Sequence, residues 1–192
     1  MKLFGVICLV LIIVAGCNNS QGKTSEQSTG GTTELAVSYS TVGEMLDDAE
    51  LIIEGNVLSQ KTIVHGDMPF TISQVKVKST LLGEATDEII SVIETGGIFK
   101  PEGKPGDDLP KAEFKLNGVD TLKPDEHIVL FLTYFEGPQV DNAFIPIGAY
   151  QGKFVVKEGK KLTQATDTEN KLSPQEMNSI NSIENLRDRV EQ

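Results

Sequence analysis

The side chains of this sequence with chemical potential are few: two histidines, two cysteines and a set of acids that includes Glu102, Asp107 and Asp108 in one short stretch. His127 follows Asp125 and Glu126 and leads into an apolar run, while His65 stands in a polar turn before Gly66-Asp67. Neither sits at a metal-ligand spacing, so each reads as structural or surface. There is no G-x-S-x-G elbow, no H-E-x-x-H helix and no phosphate-binding glycine loop, and Gly96-Gly97 is only a turn signal. Glu102, Asp107 and Asp108 carry the hard oxygens that calcium takes, but their spacing matches no calcium loop, and residues 167–170 lack the glycine of an EF-hand. The residues therefore read as a chain with no metal, no cofactor and no catalytic set.

Cys17 has a separate reading. Lys2 gives one positive charge, residues 3–14 are an almost uninterrupted apolar run, and small residues close it before Cys17. The run is shorter than the roughly 20 apolar residues of a spanning helix, and it suits the apolar core of a removable export signal. Small side chains at Ala15 and Gly16 let a peptidase approach the backbone, and the thiol that follows can be alkylated by lipid. Val14-Ala15-Gly16-Cys17 looks like the lipobox of bacterial lipoproteins. That resemblance implies a signal over residues 1–16, a lipid (palmitate) on Cys17, and a place on the extracytoplasmic face of a Gram-positive-like cell membrane. Cys8 leaves with the signal, so no cysteine remains in the mature domain for disulfides, thiolate metal sites or nucleophilic catalysis.

Charge narrows the partners. The formal charge is −11, and loss of Lys2 makes it −12. Nucleic acid and anionic lipid would repel such a chain unless a local basic patch opposed the total. Lys76 with Lys78, and Lys160 with Lys161, are pairs rather than patches. Residues 18–34 contain no apolar side chain, so nothing offsets the entropy of ordering them. Residues 17–35 are expected to be a flexible tether, and residues 36–192 one domain, a length that can bury a core without disulfides.

Within that domain the hydrophobic period sets the elements. Thr41 with Glu44 forms a capping box ahead of Val42, Met45, Leu46 and Ala49, which predicts a short N-terminal helix. From Leu51 the period is two, and Gly55 within the strand marks a bend or a close backbone approach. In residues 70–82 the apolar phase slips near Ser73 and Gln74, which predicts a β-bulge there. Residues 88–95 return as the partner strand of a hairpin. Residues 96–117 are broken by glycine and proline and read as a long loop, with one short strand over Ala112, Phe114 and Leu116. Residues 127–135 are the most apolar run after the signal and are expected in the centre of the sheet, buried on both faces. Pro146 places the next strand at an edge or bulge, and residues 151–163 read as a final hairpin around Glu158-Gly159. Ser173-Pro174-Gln175-Glu176 starts a C-terminal helix that carries Met177, Ile180, Ile183 and Leu186.

The order of residues 49–57, Val75-Lys76-Val77 before Leu82-Gly83, residues 89–95 and residues 122–132 resembles the netrin-like module. That module is the oligonucleotide/oligosaccharide-binding-type (OB-type) barrel also found in tissue inhibitors of metalloproteinases. The resemblance implies a mainly β, α+β domain: a small antiparallel Greek-key OB-like barrel with a short N-terminal and a C-terminal helix. It does not carry the inhibitor's activity across, because those inhibitors place a free N-terminal cysteine on the protease zinc and Cys17 would be lipidated. The expected function is a non-catalytic binding module displayed on a membrane, with protease inhibition as the alternative and an unrecognised hydrolase behind it. The expected binding loop is 99–111, through Phe99, Glu102, Asp107 and Asp108, and its expected partner is an envelope protein, a glycan or a cation, not nucleic acid.

Overall fold

The computed structural model describes residues 27–31, 34–85, 87–103, 108–137, 140–166 and 169–192. Strand β1 (Gln27–Gly31) is followed by helix α1 (Val42–Asp48) and strands β2 (Leu51–His65), β3 (Met68–Leu82), β4 (Ile89–Phe99) and β5 (Ala112–Leu116). Then come β6 (His127–Tyr134), β7 (Ala143–Pro146), β8 (Lys153–Val156) and β9 (Leu162–Gln164), and helices α2 (Pro174–Ser179) and α3 (Ile183–Val190). The described chain is mainly β with a minority of helix, as its patterning predicts. Strands β2 and β3 form a long hairpin, β3 pairs antiparallel with β4, and β2 pairs antiparallel with β6. The short β7 pairs with β6 antiparallel and with β4 parallel. Strands β8 and β9 extend the sheet from β6, while β5 and β1 extend it from β4.

Strand β1 lies inside the segment expected as a tether. Its five residues pair parallel with β5, Gln27 opposite Ala112 and Gly31 opposite Leu116, and Asn117 N donates to Gly31 O at 2.9 Å. Such pairing is made by main chain, which side-chain composition does not report. Residues 1–26, with the expected signal and Cys17, lie outside the described residues.

Two expectations about β3 and β4 are corrected. The inward phase of β3 does not slip, since Pro69, Thr71, Ser73 and Val75 are all buried on one face. The polar members are satisfied there: Thr71 Oγ1 donates to Gly96 O at 2.7 Å, and Ser73 Oγ accepts from Gln60 Nε2 at 3.2 Å. The extra residue opposite Gln74 and Val75 is Leu58 of β2, so this bulge is on the partner strand. Strand β4 also runs through Gly96 and Gly97 to Phe99 instead of ending at Thr95. Gly97 holds φ 123°, and a Cβ there would stand 2.1 Å from Thr71 Oγ1, so β4 passes the Thr71 side chain where only glycine fits. Gly55 shows the predicted close approach, with Lys76 O 2.8 Å from where a Cβ would be.

Burial falls on both sides of β6. Ile128, Leu130 and Leu132 join Leu51, Ile53, Val57, Val75, Ile90 and Val92 in one apolar cluster. Val129 and Phe131 face the other way, into a cluster with Val42, Met45, Phe154, Ile180, Ile183 and Leu186 that packs the helices onto the sheet. The capping box of α1 is present: Thr41 Oγ1 accepts from Glu44 N, and Glu44 Oε2 accepts from Ser40 N and Thr41 N. Glu176 Oε2 also accepts from Val42 N at 2.8 Å, tying α2 to the start of α1.

The C-terminal helix is two helices. Helix α2 ends at Ser179, Ile180 leaves helical geometry at φ −127° and ψ 32°, and Ser182 caps α3 by accepting from Asn185 N. Residues three apart retreat about 60° per step on a helix of 3.6 residues per turn, so one unbroken helix would set Met177 and Leu186 on opposite sides. The break resets the phase and lets Ile180, Ile183 and Leu186 enter the same cluster.

Candidate functional site

The predicted 99–111 loop joins β4 to β5. Phe99, the last residue of β4, is half-buried, while Glu102 and Asp108 are exposed. Lys100 Nζ pairs with Asp108, strapping the two limbs of the loop together. Asp107 lies outside the described residues. Among the described residues, no group of three or more His, Cys, Asp or Glu stands close enough to hold a metal ion.

Thr62 opposes Thr71 in the β2–β3 hairpin, and β4 pairs with β3 as far as Thr95 opposite Phe70. Gly96 and Gly97, at φ 122° and 123°, then turn β4 into its pairing with β5, Phe99 opposite Ala112. The β2–β3 hairpin turns between His65 and Met68. Val64 is 49% exposed, Ile98 45%, and Met68 and Leu109 36% each. These are four of the eight large hydrophobic side chains exposed to that extent among the described residues, Val64 and Met68 on the hairpin and Ile98 and Leu109 on either side of the loop. Asp67 is exposed in the hairpin turn, and Lys100, Glu102, Asp108 and Lys111 are exposed in the loop, which carries mixed charge. The sequence points to the loop but not to these apolar residues, which are scattered over 46 positions in β2, β3, β4 and the loop; Val64 and Met68 flanking Gly66-Asp67 were the available signal.

Elsewhere, several ionisable side chains bind one another. Lys153 Nζ donates to Glu94 Oε1 and to Asp120 O, both at 2.6 Å, and Glu94 Oε2 accepts from Leu122 N at 2.9 Å. The crevice beside them holds about 10 Å³, room for one water and no substrate. Asp120 takes Lys115 at 2.5 Å and Lys123 at 2.8 Å. Hydrogen bonds from Lys115, then from Lys123, hold its carboxyl below the usual carboxylate range. His127 Nε2 meets Glu54 Oε1 at 2.8 Å across the β2–β6 pair, while Glu126 accepts from Lys123 N in its own turn. His65 is exposed at the hairpin tip.

A groove of about 460 Å³ runs between residues 35–39 and the β7 turn, lined by Leu35, Val37, Tyr39, Asp48, Ile145 and Ile147. The Tyr39 hydroxyl donates to Asp48 Oδ2 at 3.0 Å. Burial, and then the bond to and charge of Asp48, push that phenol up to about 12. A phenol so raised is a hydrogen-bond donor at neutral pH and not a nucleophile.

Comparison of the chain with protein-family models, with curated proteins and with solved structures finds no match.

Proposed function

We propose that this chain is a lipid-anchored lipoprotein on the extracytoplasmic face of a cell membrane, whose domain is a non-catalytic binding module. In this reading the domain is a small antiparallel Greek-key barrel of the OB type. Its support is the circuit of pairings β2 to β3, β4, β7, β6 and back to β2, closed by the parallel β4–β7 pair around the cluster of Leu51, Ile53, Val75, Val92 and Leu130. Anchoring rests on the residues around Cys17, where two or more acyl chains at about 0.8 kcal/mol per buried CH₂ would hold the protein stably.

The observation that carries the binding function is the exposure of Ile98 and Leu109 on either side of the charged 99–111 loop, with Val64 and Met68 exposed on the β2–β3 hairpin. Apolar residues left in water together mark a contact surface, and loops on a small barrel commonly carry recognition. The experiment is cosedimentation of the Cys17→Ser chain with isolated cell envelopes, compared with the same chain carrying Gly-Ser in place of residues 100–111. Loss of about tenfold in binding is the expected result. Equal sedimentation of the two overturns the assignment of the loop, and a hydrolytic activity that survives rigorous purification overturns the non-catalytic class. Palmitate label retained by Cys17→Ser overturns the anchor.

A further inference from the structure

We propose that the groove between residues 35–39 and strands β6 and β7 is a second binding site, and that it takes an extended peptide segment in which Lys or Arg side chains alternate with aliphatic ones. None of its lining residues belongs to the 99–111 loop, so the two assignments stand or fall separately.

Strand β6 sets Thr133 opposite Ile145 of β7. Two hollows meet at this pair, because both residues line each of them. The first is the groove of about 460 Å³ with Leu35, Val37, Tyr39 and Ile147 in its walls. The second, of about 480 Å³, is lined by Glu50, Phe135 and Glu136. Each falls in the roughly 300–1,000 Å³ range of ligand sites. Val37 is 50% exposed, and Leu35, Phe135 and Ile145 are half-buried, so apolar surface stays in water along both hollows.

Charge names the occupant. The chain has 28 acids and 17 bases, and eleven of the acids but none of the bases fall in residues 24–60 and 124–152. The remaining 17 acids equal the 17 bases, so these two segments carry the whole net charge of −11. They also supply every residue that lines the two hollows. Asp48 Oδ2 accepts from the Tyr39 hydroxyl at 3.0 Å, and Glu50 Oε2 accepts from Thr133 Oγ1 and Tyr134 N, both at 2.7 Å. These donors hold the carboxylates in place without neutralising them. Among the described residues no ion pair engages Asp48, Glu50 or Glu136. Such a field draws cations and repels acidic partners. No three acids among the described residues stand close enough to hold one metal ion, so the charges suit cationic groups spaced along a ligand. Lys and Arg fit best, because their stems lie on apolar walls while their heads reach carboxylates, and aliphatic neighbours on the same peptide cover the surface at Val37, Phe135 and Ile145.

The test is fluorescence anisotropy of the full-length Cys17→Ser chain with a labelled, end-blocked peptide of alternating Lys and Val. A Lys-Ser peptide of equal charge and length serves as the comparison. The Lys-Val peptide is expected to bind about fivefold more tightly than the Lys-Ser peptide and to weaken as salt rises. Glu50→Gln with Glu136→Gln is expected to weaken it about fivefold, Val37→Ser about threefold, and Gly-Ser in place of residues 100–111 not at all. Where the double variant melts early, Glu136→Gln alone, at an exposed position, is expected to weaken binding about twofold. Equal affinity for the two peptides shows attraction by net charge alone and overturns the site. Binding that ignores the Glu and Val37 variants, or that vanishes with the 100–111 replacement, also overturns it. Spermine competing as well as the Lys-Val peptide overturns the peptide as occupant.

Discussion

Lys153 Nζ lies 2.6 Å from Glu94 Oε1 with both side chains only 3% exposed, joining β8 to β4 although the two strands are not hydrogen-bonded neighbours. Taking two charges out of water is costly, and the cost is met here by a full set of bonds: Asp120 O accepts from the ammonium and Leu122 N donates to the carboxylate.

Breaking this pair on one side leaves a buried charge alone. Lys153→Met is expected to lower unfolding free energy by about 3–5 kcal/mol, while the double variant Lys153→Met with Glu94→Leu recovers most of that loss. Urea unfolding of the two variants reads both numbers. A single-variant cost under about 1 kcal/mol would show that water reaches the pair.

Asp120 gives a pH dependence with a definite sign. Lys115 and then Lys123 hold its folded carboxyl below the ordinary value of 3.8. The folded state therefore binds fewer protons than the unfolded chain, and the stabilisation is full above that ordinary value and fades as pH falls through the folded one. The side chain is 41% exposed, so screening keeps the contribution below about 1 kcal/mol. Asp120→Asn is expected to be slightly less stable than the native chain at pH 7, the gap closing below pH 4. A gap that stays constant to pH 2 would mean that the charge of Asp120 is not what stabilises.

Strand β6 feeds both apolar clusters and should be the most protected part of the domain. Amides of residues 128–132 are expected to exchange slowest, and Phe131→Ala, which empties a fully buried site against Phe154, is expected to cost about 3–5 kcal/mol. Hydrogen exchange by mass spectrometry tests the first and thermal unfolding the second. Fast exchange across β6 would place the core elsewhere.

Those parts of the fold that obey local rules are legible in the amino-acid sequence. A two-residue period with both phases apolar marks β6 as central, Thr41 and Glu44 spell the cap of α1, and Ser173 before Pro174 starts α2. What the period cannot report is which polar groups meet. Thr71 and Ser73 face inward because Gly96 O and Gln60 reach them, so an apolar phase read as slipping is unbroken in space. Gly96 and Gly97 read as a turn, yet they continue β4 by pairing with Lys115 and Phe114, with Phe114 O and Thr71 Oγ1 where side chains would otherwise stand. The three-residue spacing of Met177, Ile180, Ile183 and Leu186 reads as one helix until packing against the sheet requires a break. Glu94 with Lys153 and His127 with Glu54 join residues from distant strands. Hydrophobic burial acts through the composition of each segment and so leaves a periodic trace in the sequence. Hydrogen bonds, ion pairs and strand neighbours are relations between segments, and only the tertiary structure decided them.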